Sequence, residues 1–316
     1  MVETYDINEN IKRTKRTTEK IYYTKCLISS VKQLVETFTD SIGNKELLKS
    51  YYLYYLDVPS RVEQIKRVLS NIEINQAINS NKHPRILEIG SGIGICCLIT
   101  KAFTGAEVVG AEPAPGSYGA LQQCIAELQK ANQHLPYTSI NSGGEAIPYE
   151  DNSFDLIYSF EVLEHVENPR KVLEEIYRIL KPGAYAYIST CNYDSFYEGH
   201  YKRFWNPFIG IEGNRKNFLK KGLSSKFLSE LNFITKKQIK RWTKEIGFTD
   251  LRFNPDTTNM YKSYMAKSIY PTGFRMPTAG NKEKPIWLIQ LLEHPKVKFW
   301  LSKIDREYKL YFIVKK

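Results

Sequence analysis

The spacing of hydrophobic positions changes at His83-Pro84. Before that dipeptide, apolar residues recur at helical intervals. Between Lys45 and Leu69 they fall at Leu47, Leu48, Tyr51, Tyr54, Tyr55, Val58, Val62, Ile65 and Leu69, a spacing that lines one face of a helix. Pro59 with Ser60 suits the first turn of a restarted helix, where a missing N–H leaves no bond unmade. Residues 1–80 are therefore expected to form a helical region. After His83-Pro84, short apolar runs alternate with amphipathic stretches. RILEI (85–89), EVVGAE (107–112), YTSIN (137–141), FDLIYS (154–159) and AYAYIST (184–190) read as strands, YTSIN being the weakest. Helices are expected near 94–103, 116–132 and 168–180, the last stopped by a turn at Lys181-Pro182-Gly183. Alternation of this kind predicts an α/β fold with a doubly wound, mostly parallel sheet.

The alternation ends after Thr190. Residues 191–232 are aromatic, basic and turn-rich, which predicts an inserted cap. A helix follows at 235–246, ended by Gly247, then a strand at 248–253, a loop-rich insertion at 254–285, a helix near 286–303 and a final strand at 309–314. The expected organisation is an N-terminal helical region (1–80), an α/β core (81–190), the cap (191–232) and a C-terminal part (233–316).

Composition narrows the class. A chain of 316 residues suits one large domain with additions or two small ones. Its 42 % apolar content allows a full core, and 13 % aromatic residues argue against wholesale disorder. The five cysteines are odd in number and form no Cys-x-x-Cys pair, so neither a disulfide framework nor a zinc site is indicated, and no metal is expected. A reducing, cytoplasmic setting fits that usage. The N-terminus has no apolar core of a signal peptide, and no apolar run approaches the length of a membrane span. The net charge of +11 fits a phosphate-bearing substrate, nucleic acid or an anionic membrane surface, or simply solubility; charge alone does not choose.

Three local patterns carry candidate chemistry. The first, Glu88-Ile89-Gly90-Ser91-Gly92-Ile93-Gly94, follows a strand and opens a helix, where glycines let the backbone turn tightly against a ligand. Glu88 repels a pyrophosphate and suits a cationic ligand, and the Gly-Lys-Ser/Thr ending of a phosphate loop is absent. The second is Glu112, one βα unit further on, where a carboxylate can accept both hydroxyls of a ribose. The third is SFEVLEHV (159–166), which places Glu161, Glu164 and His165 beyond the fourth strand, where open α/β sheets bind ligands. His165 is equally compatible with capping or packing.

Together these patterns resemble the class I S-adenosylmethionine-dependent methyltransferases, especially the subgroup acting on small molecules and quinones. The resemblance spans about residues 84–191. It rests on LEIGSGIG, Glu112, Ala146-Ile147-Pro148-Tyr149 before FDLIYS, EVLEHV and RILKPGAYAYIS, in that order. It implies a Rossmann-like sheet of seven strands with the last antiparallel, and S-adenosyl-L-methionine as cofactor. Carried over by position, Glu88, Gly90, Ser91 and Gly92 would hold the methionine part and Glu112 the ribose. Pro113, Glu145 and Ala146 would lie along the adenine, and Ser159, Phe160 and Glu161 would line the methyl-donor cavity. One departure is Gly143, which stands where relatives often carry an acid for the adenine amine; Glu145 or a backbone carbonyl would take over.

Methyl transfer to a hydroxyl calls for a base. His200, in FYEGHYKRFWNPF (196–208), is the first candidate, with His165 and Glu161 as others; related enzymes often have a histidine in this loop. Tyr197, Tyr201, Trp205 and Phe208 suit either an apolar wall excluding water or ordinary packing of the cap. The acceptor site is expected in residues 191–232 and 254–285, where Lys202, Arg203, Arg215, Lys216, Lys220, Lys221 and Lys226 suit a phosphate-bearing small molecule or glycan. The expected reaction is O-methylation. One alternative is an RNA methyltransferase, since aromatics interleaved with Lys and Arg can stack bases and track phosphates. Against it, Cys191-Asn192-Tyr193 stands where base-amine methylating enzymes carry Asn/Asp-Pro-Pro-Tyr/Phe. The other is a non-catalytic binding or scaffold protein on the same fold.

Overall fold

The structure is a computed structural model that describes residues 3–6, 20–41, 56–113, 119–201, 203–224, 226–254 and 309–316. The helix expected near 286–303, Lys202, and all but the first residue of the insertion at 254–285 lie outside them.

The N-terminal region departs from the helical expectation. β1 (Glu3–Asp6) and β2 (Lys20–Tyr23) pair antiparallel, Glu3 opposite Tyr23. Ile21 and Tyr23 alternate into the core, a period of two that belongs to a strand. Asn132 completes the pairing at β2: its side chain accepts the Tyr22 amide at 2.7 Å and donates to the Tyr22 carbonyl at 2.9 Å. Helices follow, as expected: α1 (Lys25–Ser41), α2 (Val58–Ser70) and α3 (Ile72–Asn79). At the start of α2, Asp57 accepts the Ser60 amide at 3.1 Å beside Pro59, a side-chain cap for an otherwise unbonded N–H.

Strands and helices then alternate: β3 (Arg85–Ile89), α4 (Ile95–Thr104), β4 (Glu107–Ala111), α5 (Gly119–Ala131), β5 (Thr138–Ile140), β6 (Phe154–Phe160), α6 (Pro169–Ile179) and β7 (Leu180–Cys191). The cap holds the short hairpin β8 (Tyr197–Glu198) with β9 (Arg203–Phe204), then α7 (Gly210–Leu219) and one 3-10 turn (Phe227–Glu230). α8 (Lys236–Ile246), β10 (Asp250–Phe253) and β11 (Lys309–Lys315) close the described chain.

The main sheet has seven strands in the order β10-β11-β7-β6-β3-β4-β5. β3 to β7 pair in parallel, and β11 runs antiparallel to both β7 and β10. Successive strand residues feed opposite layers. Ile86, Val108, Leu156 and Tyr187 pack with the N-terminal helices, α4 and α5, whereas Leu87, Val109, Ile157 and Ala186 pack with α6 and α8. Burial on both faces explains why these strands read as unbroken apolar runs. The cap has a third core around Tyr201, Trp205, Phe218 and Leu228. Among the described residues, no helix is long and apolar enough to cross a membrane.

One boundary shifts. The expected turn at Lys181-Pro182-Gly183 lies inside β7 as an irregularity. Phe154 faces Leu180 and Leu156 faces Tyr185, so Lys181 to Ala184 stand opposite Asp155 alone. Gly183 takes a positive φ of 80°, and Lys181 reaches back to Asp155 at 2.8 Å. The extra residues bulge out of the ladder, which removes the need for an amide at Pro182.

Candidate active site

The site lies at the carboxyl ends of β3, β4, β6 and β7. After β3 the chain turns through Gly90, Ser91 and Gly92. The amides of Gly90 and Ser91 donate to the Ala111 carbonyl at 2.8 and 3.1 Å, which ties the turn to the end of β4. Gly90 has φ +74°, and a Cβ built there collides with the side chain of Val162. Both conditions select glycine.

Two carboxyl groups flank this turn. Glu88 is buried and accepts from the Cys97 thiol at 3.0 Å and from the Tyr158 hydroxyl at 3.5 Å. Burial pushes its pKa up to about 8, against the opposing pull of Cys97 and of Arg61. Glu112 follows β4 and accepts the Gly92 amide at 2.8 Å. Burial raises its pKa to about 7, and the Gly92 bond works the other way. Arg61, from α2, lines the same cleft with Glu88, Gly90, Ser91, Gly92 and Phe160. The cleft is open to solvent and spans about 430 Å³ with its mouth included.

Other expected contacts are distributed less simply. Ser159 is fully buried with no hydrogen-bond partner for its hydroxyl among the described residues. Glu145 accepts the amides of Glu167 and Asn168 at 2.9 and 3.3 Å, so its carboxylate is engaged at the start of α6. Ala146 and Pro113 are exposed and are not among the residues that line the cleft.

Beyond Phe160 lies a dense polar cluster. Glu161 has φ +59° and forms an ion pair with Lys309 of β11. Burial opposes its ionisation, but the Lys309 ammonium outweighs this and holds the carboxyl below its ordinary range. Glu164 is fully buried, accepts from the Thr190 hydroxyl at 2.8 Å, and is raised by that burial. His200 Nδ1 lies 2.6 Å from the buried Glu198 carboxylate, and its Nε2 lies 3.1 Å from Nε2 of His165. Burial depresses His200, but Glu198 prevails and raises its pKa. His165 keeps an exposed edge. Crowding, and then the neighbouring His200, lower its pKa, an effect that exposure softens. Glu164, Cys191 and His200 place donor atoms within 4.8 Å of one another. Glu164 is already bound to Thr190, and both His200 nitrogens face partners, so we assign no metal there.

The structure thus brings His200 to His165 and sets Glu161 near both. Tyr201 and Trp205 pack inside the cap core, which favours the packing reading, and Phe208 points outward at 73 % exposure, so it is no part of an inner wall. Sequence reading missed four residues. Glu198 was signalled by its position two residues before His200. Arg61, Cys97 and Lys309 had no local signal.

A seven-stranded sheet of this order, reversed only at β11, with a glycine turn and an acid at consecutive strand ends, defines the class I S-adenosylmethionine-dependent methyltransferases. A family profile described as methyltransferase domain matches residues 61–252, more than half of the chain, and the chain belongs to that family. Its cofactor is S-adenosyl-L-methionine. The chain is 26 % identical over 187 residues to a sterol 24-C-methyltransferase of Schizosaccharomyces pombe, covering 53 % of this chain and 49 % of that protein. It is 26 % identical over 213 residues to a ubiquinone biosynthesis O-methyltransferase of Leptothrix cholodnii, covering 65 % and 83 %. Among solved structures it is similar to phosphoethanolamine N-methyltransferase 2 of Haemonchus contortus in complex with S-adenosyl-L-methionine, at 17 % identity and a TM-score of 0.46, covering 99 % of this chain and 60 % of that one. The chain spans about half the length of the first curated relatives it matches.

Proposed function

We propose that this protein is an S-adenosylmethionine-dependent O-methyltransferase acting on a hydroxyl of an anionic small molecule or glycan. The observation that carries the reading is the Glu198–His200–His165 chain beside Glu161, one residue beyond a wall of the donor cleft. It supplies a base where an acceptor hydroxyl would meet the methyl group.

The residues present fit the donor. Glu88, desolvated and without a cationic side chain bonded to it among the described residues, suits the ammonium of the methionine part, and the guanidinium of Arg61 suits its carboxylate. Glu112, already bonded to Gly92, has a second oxygen to accept from the ribose. Gly90 and Gly92 let the backbone approach closely. When bound, the donor supplies an activated methyl on a sulfonium. The protein's part is alignment, which can lower the barrier by roughly 7–11 kcal/mol, and removal of the acceptor's proton. His165 at the exposed end of the pair takes that proton and His200 keeps it, because Glu198 favours the imidazolium. Held this way, the donor would supply its methyl group to the acceptor oxygen and its sulfur would keep the bonding electrons, while His165 and His200 hold the proton released.

Support for a small acceptor comes from the relatives named for sterol and ubiquinone chemistry. Arg203, on the cap strand that follows His200, supports negative charge on it. The test is calorimetric titration with S-adenosylmethionine, followed by a donor-consumption screen against nucleotide sugars, quinones and RNA. Micromolar donor binding and turnover on a hydroxyl acceptor are expected. No binding at millimolar donor, or turnover confined to RNA, overturns the proposal.

A further inference from the structure

The cap carries an exposed apolar ridge that neither the donor cleft nor the histidine cluster uses. Phe204, Phe208, Ile209, Ile211 and Leu219 expose 42, 73, 43, 38 and 53 % of their surface. They are not scattered. Phe196 contacts both Phe204 and Phe208, with ring centroids 6.3 and 5.9 Å apart. Ile211, Arg215 and Leu219 follow at i, i+4 and i+8, one stripe along α7. On the adjoining flank of that helix, Asn214 and Phe218 face the cap core. The helix thus buries one side and turns outward two aliphatic residues, Ile211 and Leu219, with Arg215 between them.

Basic residues rim the ridge. Lys216, Lys220, Lys221 and Lys226 are exposed, and Glu212 is ion-paired with Arg215 at 3.2 Å. Glu230 is exposed on the following turn. We propose that this face of the cap docks on an anionic lipid bilayer: the ridge enters the headgroup region and the lysines meet lipid phosphates. Exposed Phe204, Phe208 and Ile209 before α7, Ile211 and Leu219 on it, and lysines beside them combine apolar anchors with positive charge, as an anionic headgroup plane requires. Protein interfaces are depleted in lysine, and beside Lys216 of α7 and Lys220 at its cap the outward apolar residues are the aliphatic Ile211 and Leu219, where an RNA surface would need stacking platforms. Charge complementarity therefore selects the bilayer. The inference does not depend on the acceptor reading, because binding is measured without donor or acceptor.

The experiment uses the full chain and sedimentation with vesicles of phosphatidylcholine containing about one-third phosphatidylglycerol, beside vesicles of phosphatidylcholine alone. Wild type is expected to partition about tenfold more strongly onto the anionic vesicles, with the preference falling as salt rises. Phe208→Ser with Ile211→Ser is expected to weaken partition about tenfold. Lys220→Glu with Lys221→Glu, at exposed sites that do not threaten folding, is expected to abolish the preference. Circular dichroism and donor titration should match wild type in both variants. Equal partition onto both vesicles, no partition at low salt, or unchanged partition of the variants overturns the proposal. So does a ridge whose substitution abolishes binding of a poly-uridine RNA, or self-association by sedimentation velocity, while vesicles are not bound.

Discussion

The Glu112 carboxylate accepts the Gly92 amide at 2.8 Å, so the tip of β4 and the turn after β3 form one unit. Glu112→Ala removes that acceptor and the proposed ribose contact together. Donor affinity should fall roughly 10- to 100-fold, the loss of one or two hydrogen bonds to a charged group. Glu112→Gln, which keeps an acceptor oxygen, should fall less. Titration calorimetry measures both, and unchanged affinity in Glu112→Ala removes the ribose assignment.

Two glycines separate backbone strain from steric block. Gly90 and Gly105 have φ of +74° and +66°, but a Cβ collides with Val162 only at Gly90; nothing lies within 4 Å at Gly105. Gly105→Ala should lower stability by roughly 1 kcal/mol with donor binding intact. Gly90→Ala should lower it further and abolish donor binding. Equal melting temperatures for the two variants contradict the close packing of Val162 on the turn.

Donor binding should depend on pH through Glu88. Its folded pKa, about 8, lies above the ordinary 4.5. The folded protein therefore holds this proton more tightly than the unfolded chain. Its stabilising effect is fully present below about pH 4.5 and is lost as pH rises through 8. The methionine ammonium needs the ionised carboxylate, so donor affinity should rise between about pH 6 and 8 while this contribution to stability falls. Glu88→Gln should bind weakly with a flatter pH dependence, and should melt higher than wild type near pH 8. An identical pH dependence of binding in wild type and Glu88→Gln rejects the assignment.

The Glu198–His200 pair sets the acid limb of turnover. The pair raises the imidazole above its ordinary 6.5, and only neutral histidine accepts a proton. Turnover should therefore be lost on acidification at a pH above 6.5. Glu198→Gln should move that limb to lower pH. His200→Ala should reduce kcat by roughly 100-fold or more with little change in donor affinity. Full activity in His200→Ala would show that another group, or none, takes the proton.

Much of the cleft's lining was legible along the chain. Glu88, Gly90, Gly92 and Glu112 sit at strand ends, and a strand followed by a glycine turn is a local pattern. Glu145 has a partnership that residue identity did not announce: its carboxylate reaches 22 residues along the chain to the amides that open α6. The hairpin of β1 and β2 was missed because its partners are separated by unpatterned polar sequence.

What the sequence determined by itself is the succession of elements and the residues at their ends, because periodicity and turn chemistry are set by near neighbours. Tertiary structure alone decided which distant residues meet. β11 enters the sheet beside β7, and this brings Lys309 to Glu161. α2 packs on α4 and brings Arg61 over Glu88. The cap folds back so that His200 meets His165. Those contacts depend on strand order and layer packing, which no local run of residues encodes.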